Sequence, residues 1–194
     1  MNFFKKLFNI QDEKDKEIKS QEVNLSLDDL FVHNFVKKGG KFLYCIKEQE
    51  VKENLRNILK ENNWSSVYLL NNDLKNLLPS KEIESSSLPK AEYPVFTSCE
   101  HLIAENGDIM FSSNQLRSKK LIEYPDNFIV LATTSQIVKN TGQGLTGIKT
   151  NSKDSLPTNI SSIRNYQINK NDDNFLNYGN SNSKNLYLLL LENL

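Results

Sequence analysis

The chain has 194 residues, 38% of them hydrophobic, and balances 24 Lys and Arg against 24 Asp and Glu. This length favours one domain with a sizeable core, and the balanced charge supplies no basic field for holding nucleic acid. Cys45 and Cys99 stand apart without C-x-x-C spacing, so neither a disulfide framework, a zinc site nor a resident cofactor is expected, and a reducing cytoplasm fits them.

The longest apolar run, Leu186 to Leu191, falls far short of the roughly 20 residues that span a bilayer. The amino terminus carries lysines but no apolar signal core, which argues against a secretory leader. Met1 to Ile10 places Phe3, Phe4, Leu7 and Phe8 on one side of a helix and Lys5 and Lys6 on the other. The spacing predicts an amphipathic arm. Packing on its own domain, or on a neighbouring subunit of a homo-oligomer, is favoured over a membrane surface. Gln11 to Gln21 is almost wholly polar and charged and reads as a flexible linker, so residues 1–24 are expected to precede an α/β domain over 25–194.

Within that domain, Ser26 is a candidate cap for a helix through Leu30, Phe31 and Val36, ended by Gly39 and Gly40. Lys41 to Ile46 reads as a strand, Glu48 to Asn62 as a helix with Val51, Leu55, Ile58 and Leu59 on one face, and Ser66 to Leu70 as the next strand. Strand, helix and strand at these lengths form a βαβ unit with parallel strands. A short helix is expected at Asp73 to Leu78 and a loop from Pro79 to Pro94. Phe96 to Ser113 reads as a polar loop, an apolar pair, a turn at Glu105, Asn106 and Gly107, and a strand. A helical turn in Gln115 to Glu123 and an apolar strand from Asn127 to Thr133 come next. Thr141 to Gly147, T-G-Q-G-L-T-G, reads as a glycine-allowed surface loop. From Asn159 the chain is rich in Asn, Ser and Asp, with one strand expected at Ser161 to Ile168. Leu186 to Leu191 closes it as a strand buried on both faces. The predicted fold class is α/β, a mostly parallel or mixed sheet flanked by helices.

The candidate chemistry centres on Phe96 to Ser113. Glu105 is the candidate base or hydroxyl acceptor, since a carboxylate in a turn beside apolar strands is open to tuning by burial; its plain alternative is a turn carboxylate bonded to local amides. Thr97, Ser98, Glu100, Asn106 and Gly107 are candidate ligand-binding residues. Gly142 and Gly144 would let backbone approach an anion, although the P-loop lysine is missing. Cys99 is either a nucleophile or, preferentially, an inert buried thiol. Glu100 and His101 could partner Glu105, although His101 reads preferentially as a partly buried polar residue before the strand, and His33 reads as structural. Arg117, Lys119 and Lys120 could hold an anionic tail or form a solvated face. No metal-ligand spacing is found.

The blocks G-G-K-F-L-Y-C (Gly39 to Cys45), I-A-E-N-G-D-I-M-F-S-S (Ile103 to Ser113), P-D-N-F-I-V-L-A (Pro125 to Ala132) and L-P-T-N-I-S-S-I (Leu156 to Ile163) stand in an order that resembles the LUD domain family, the lactate-utilisation-type domains. The I-A-E-N-G turn is the most specific block, with Asn106 standing where that family usually has threonine. The resemblance implies the ribose phosphate isomerase and CoA transferase-like fold, with ligands at the carboxyl ends of the strands. It also implies a small anionic metabolite as ligand, or an accessory role beside protein partners of a lactate or hydroxy-acid oxidation system. After Ile163 the family's Gly-Pro-Ser-Arg-Thr-Ala-Asp-like loop is replaced by R-N-Y-Q-I-N-K, where Arg164 is a loose substitute as anion binder. Two alternatives stay open: a non-catalytic interaction protein that has lost the ligand loop, and an isomerase-like enzyme with Glu105 as base.

Overall fold

Ser26 opens the first helix as its spacing predicts: the hydroxyl accepts the Asp29 amide at 3.2 Å, and Asp28 and Asp29 face the positive end of the helix dipole. The computed structural model describes residues 25–79, 83–86, 88–117, 119–152, 156–167 and 182–193. The expected amino-terminal arm and linker lie outside the described residues. Helix α1, Leu27–Lys37, buries Phe31 and Phe35 one turn apart with their rings stacked at 5.5 Å. It stops at Gly39, whose φ of +90° is open to glycine and costly for other residues.

Strand β1 (Lys41–Cys45) leads into α2 (Glu48–Glu61), whose Val51, Leu55, Ile58 and Leu59 form the buried stripe read from their spacing. Strand β2 (Ser66–Leu69) follows, and the helix expected after it is a tighter 3-10 helix over Asn72–Leu77. The stretch read as a loop after Pro79 contributes a short edge strand, β3 (Glu84–Ser86), paired with β2. Strand β4 (Val95–Ser98) completes the first half.

Phe96 to Ser113 holds more strand than the loop, turn and strand read from it. Thr97 and Ser98 end β4, and a hairpin of β5 (His101–Ile103) and β6 (Asp108–Ser112) follows. The polar side chains that suggest a loop are strand residues because β4 pairs with β7, Thr97 against Val130 and Ser98 against Leu131. A short helix α3 (Ser113–Leu116) leads toward β7 (Asn127–Thr133) and β8 (Ile137–Val138). Thr141 to Gly147 is no loop: it opens helix α4 (Thr141–Asn151). The Asn140 side chain caps that helix by accepting the Gln143 amide at 3.0 Å, and Gln143 Oε1 accepts the Lys139 amide at 2.9 Å. Its glycines serve close packing, since a Cβ on Gly147 would stand 2.6 Å from His101 Nε2. Strand β9 (Ile160–Ile163) is shorter than the one expected there, whose last residue, Ile168, lies outside the described residues. Strand β10 (Asn185–Leu191) ends the chain's secondary structure.

Six strands form one parallel sheet in the order β1-β10-β7-β4-β2-β3. The expected βαβ pair is parallel, with three strands inserted between β1 and β2. Strand β10 lies between β1 and β7, and its alternate residues feed both cores as its unbroken apolar run implies. Tyr187 and Leu189 join α2, Leu74, Leu77, Phe96 and Ile129 on one face. Leu186 and Leu188 join Phe31, Phe35, Phe128 and Val130 on the other. That second face is also covered by a four-stranded sheet in the order β8-β5-β6-β9, through Leu102, Ile109 and Phe111. Ile103 and Met110 point the opposite way and pack with Ile148 of α4. The layers are therefore helix, parallel sheet, smaller sheet with α1, and helix: the α/β class read from the alternation.

Candidate functional site

In a parallel sheet, ligands lodge where two neighbouring strands send the chain to opposite faces, because the diverging connections leave a crevice between the carboxyl ends. Strands β2 and β4 do this. The chain leaves β2 into the 3-10 helix on the α2 face, and leaves β4 into the hairpin on the α1 face.

Asn71 caps the end of β2 there. Its Oδ1 accepts the Thr97 hydroxyl at 2.7 Å and the Ser98 amide at 3.0 Å, so the two strand ends are tied side by side. Thr97 is fully buried and Ser98 half-buried. The Arg117 guanidinium reaches the same place, donating from Nη2 to the Leu70 carbonyl at 3.0 Å. Arg117 has φ 54° and ψ −139°, a backbone region that costs a non-glycine residue on the order of 1–3 kcal/mol.

Glu100 holds that arginine's platform. Its Oε1 accepts the Ser112 hydroxyl at 2.5 Å and Gln115 Nε2 at 3.0 Å, while Ser112 caps α3 through the Asn114 amide and Gln115 Oε1 accepts the Ser112 amide at 2.8 Å. The carboxylate thus fixes the short helix that ends in Arg117. Gln136, after β7, donates to the Cys99 and Glu100 carbonyls at 2.6 and 3.2 Å and fastens the same turn from the other side. Burial, with the Glu100 carboxylate second, pushes the Cys99 thiol up, so it stays protonated and is a poor nucleophile. Among the described residues no carboxylate lies within ion-pair distance of Arg117, and its other guanidinium donors have no intramolecular acceptor. Lys119 lies over the Tyr124 ring, 5.9 Å from its centroid.

Glu105, Asn106, Gly107 and Arg164 stand at the opposite edge of the sheet. Strand β5 returns across the face of the parallel sheet, so its turn reaches the C-terminal half of α1, which delivers the chain to the amino end of β1. There Asn34 Nδ2 donates to the Ala104 and Glu105 carbonyls at 2.9 and 3.1 Å. The Glu105 side chain is exposed. Asn106 Oδ1 accepts the Asp108 amide at 3.0 Å, and Gly107, at φ +71°, presses on α1 so closely that a Cβ would stand 2.5 Å from the Phe35 nitrogen. Asp108 is paired with Lys38 at 2.7 Å and approached by Arg164 at 3.8 Å. The Tyr166 hydroxyl donates to the Gly107 carbonyl at 2.6 Å. These contacts lock the hairpin to α1 and to the segment after β9.

Gly142 and Gly144 belong to α4, with Gly144 packed against Ile103 and Met110. The structure thus gathers Thr97, Ser98 and Glu100 at the carboxyl edge and sets Glu105, Asn106, Gly107 and Arg164 at the amino edge. Asn71 is the site residue that sequence reading missed; its signal is an amide immediately after an apolar strand. Among the described residues no group of three or more His, Cys, Asp or Glu side chains could hold a metal ion, and no helix is long and apolar enough to cross a membrane.

Comparison with known proteins agrees with this architecture. A crystal structure of a DUF162 family protein from Deinococcus radiodurans superposes with a TM-score of 0.60 at 14% identity, over 87% of this chain and 99% of that one. No curated protein matches the chain. The family model for the LUD domain matches residues 94–191, half of the chain, from the start of β4 through β10. The chain belongs to the LUD domain family.

Proposed function

We propose that this LUD domain binds a small anionic metabolite in the crevice between the carboxyl ends of β2 and β4, with Arg117 as partner of the anion. The observation that carries the reading is Arg117 itself: a strained backbone holds an exposed guanidinium on the Leu70 carbonyl, one residue before the Asn71 that binds Thr97 and Ser98. Strain of this kind persists only where the surroundings impose it, and Glu100 with α3 supplies that constraint. A planar guanidinium favours a carboxylate or a phosphate, and a half-buried Ser98 and Asn71 beside it favour a ligand that also carries a hydroxyl or carbonyl. A small hydroxy acid has both groups, which agrees with a part in hydroxy-acid utilisation. The reading is one of binding and does not use Glu105.

Thermal denaturation with lactate, pyruvate, a sugar phosphate and acetyl-CoA at millimolar concentration tests it. A ligand present at about 100 times its Kd adds about 2.7 kcal/mol of stability. The expected result is stabilisation by at least one of these anions, lost in Arg117→Gln. Equal melting curves with and without all four anions would remove the proposal, as would stabilisation that survives Arg117→Gln.

A further inference from the structure

Helix α1 carries Leu27, Phe31 and Phe35 at intervals of four, one stripe along one face. Phe31 and Phe35 are fully buried, but Leu27 is 44% exposed. The stripe outruns the sheet that covers it.

Strand β1 continues the same exposed area. Within β1, Phe42 and Tyr44 alternate with Leu43 and Cys45, so they lie toward α1 while Leu43 and Cys45 join the α2 core, and Ile46 follows directly after the strand. Tyr44 is 37% and Ile46 57% exposed, and Leu25, directly before the helix cap, is 44% exposed. Burial, then the Glu192 carboxylate and last that of Asp28, raises the Tyr44 phenol, and Glu50 accepts the Ile46 amide at 2.8 Å. Strand β1 is also an outer strand of its sheet. Leu25, Leu27, Tyr44 and Ile46 therefore make an exposed apolar area with an acidic rim, beside a sheet edge that no further strand among the described residues pairs with.

We infer that this surface is the seat of the chain's own Met1–Ile10 segment. Three observations choose that occupant. The preceding 24 residues depart from Leu25, inside the surface itself. The 14 residues from Gln11 to Asn24 reach up to about 45–50 Å when extended, ample to bring the segment back. Phe3, Phe4, Leu7 and Phe8 supply an apolar face, and Lys5 and Lys6 complement Asp28, Glu50 and Glu192.

The test compares the full-length protein with full-length Phe4→Asp/Phe8→Asp. Amide hydrogen exchange, sedimentation mass and sedimentation with phosphatidylserine-phosphatidylcholine vesicles are the readouts. The expected result is a monomer in both cases and several-fold faster exchange at residues 27–31 and 42–46 in the variant, with little vesicle binding. Ile46→Lys, at an exposed position, should accelerate exchange in residues 3–8 by the same logic. Unchanged exchange in both variants overturns the inference. A dimer that the arm substitutions dissociate would assign the surface to a second copy, and vesicle binding lost without a change in exchange would assign the arm to lipid; either result overturns it.

Discussion

Asn71 and Thr97 join the carboxyl ends of β2 and β4 through one hydrogen bond of 2.7 Å, at the point where the chain departs to opposite faces of the sheet. Thr97 is fully buried, so without the amide its hydroxyl is left with only the longer bond to the Ser98 carbonyl at 3.0 Å. Asn71→Ala is expected to cost about 1–3 kcal/mol. Thr97→Val should cost about as much as losing that bond, and the double variant should cost less than the sum, with a coupling of about 0.5–1.5 kcal/mol. Urea denaturation of the four proteins measures the cycle. Additive losses would show that the two side chains do not act together.

Arg117 separates backbone strain from side-chain chemistry. At φ 54° and ψ −139°, glycine sits without penalty while alanine keeps the strain. Arg117→Gly should therefore be more stable than Arg117→Ala by about 1–2 kcal/mol, although neither retains the bond to Leu70. Both should fail to bind the anion. Equal urea midpoints for the two variants would mean that the backbone relaxes here and that the arginine is not held by force.

The elements that depend on local signals were legible in the sequence. Ser26 capping, the α2 stripe and the twice-buried β10 follow from hydroxyl placement, from the 3.6-residue period and from an unbroken apolar run. The site was half legible. Thr97, Ser98 and Glu100 could be singled out as polar groups beside strands, but the partner that organises them, Asn71, is 26 residues away from Thr97 and meets it only through sheet pairing. Glu105 stands eight positions after Thr97 yet at the other edge of the sheet, because β5 is a return strand and nothing local marks its direction. The glycines of α4 disfavour a helix by propensity; the local Asn140 cap, and the close approach to His101 and Met110, which is a tertiary fact, outweigh that.

The two glycine clusters make opposite predictions. Gly107→Ala would place a Cβ 2.5 Å from the Phe35 backbone at φ +71°, and should cost at least about 2 kcal/mol. Gly142 is exposed in α4, and a Cβ there would meet Asn140 Oδ1 at an unstrained 3.4 Å. Gly142→Ala should stabilise by about 0.4–1 kcal/mol. Melting temperatures moving in opposite directions would support the packing role of the first and the helical setting of the second; a destabilised Gly142→Ala would restore a backbone role for that glycine.

Alkaline pH probes the buried phenols. Burial, then Tyr68, pushes Tyr124 from its ordinary value of 10.0 up to about 12, and its hydroxyl donates to the Leu116 carbonyl at 2.5 Å. Burial, and then the Asp108 carboxylate, pushes Tyr166 well above the same value. Both groups titrate later in the folded protein than in the unfolded chain. Their contribution is complete below about pH 10 and declines as the unfolded phenols ionise, with the Tyr124 share exhausted near its folded value. Lys184 acts in the opposite sense. Burial lowers it from 10.5, more strongly than Asp126 raises it, so its cost to the folded state is relieved as the pH rises from its folded value to 10.5, and it offsets little of the phenols' loss above that. Tyr124 and Tyr166, joined by the raised but more exposed Tyr44, against one lowered lysine predict a net loss of stability above pH 10. Tyr124→Phe should lower stability at pH 8 by about 1 kcal/mol through the lost hydrogen bond, yet make the decline between pH 10 and 11.5 shallower than in the wild type. Urea midpoints across that range decide it: parallel curves for the two proteins would mean that Tyr124 ionises in the folded state as it does in the unfolded chain.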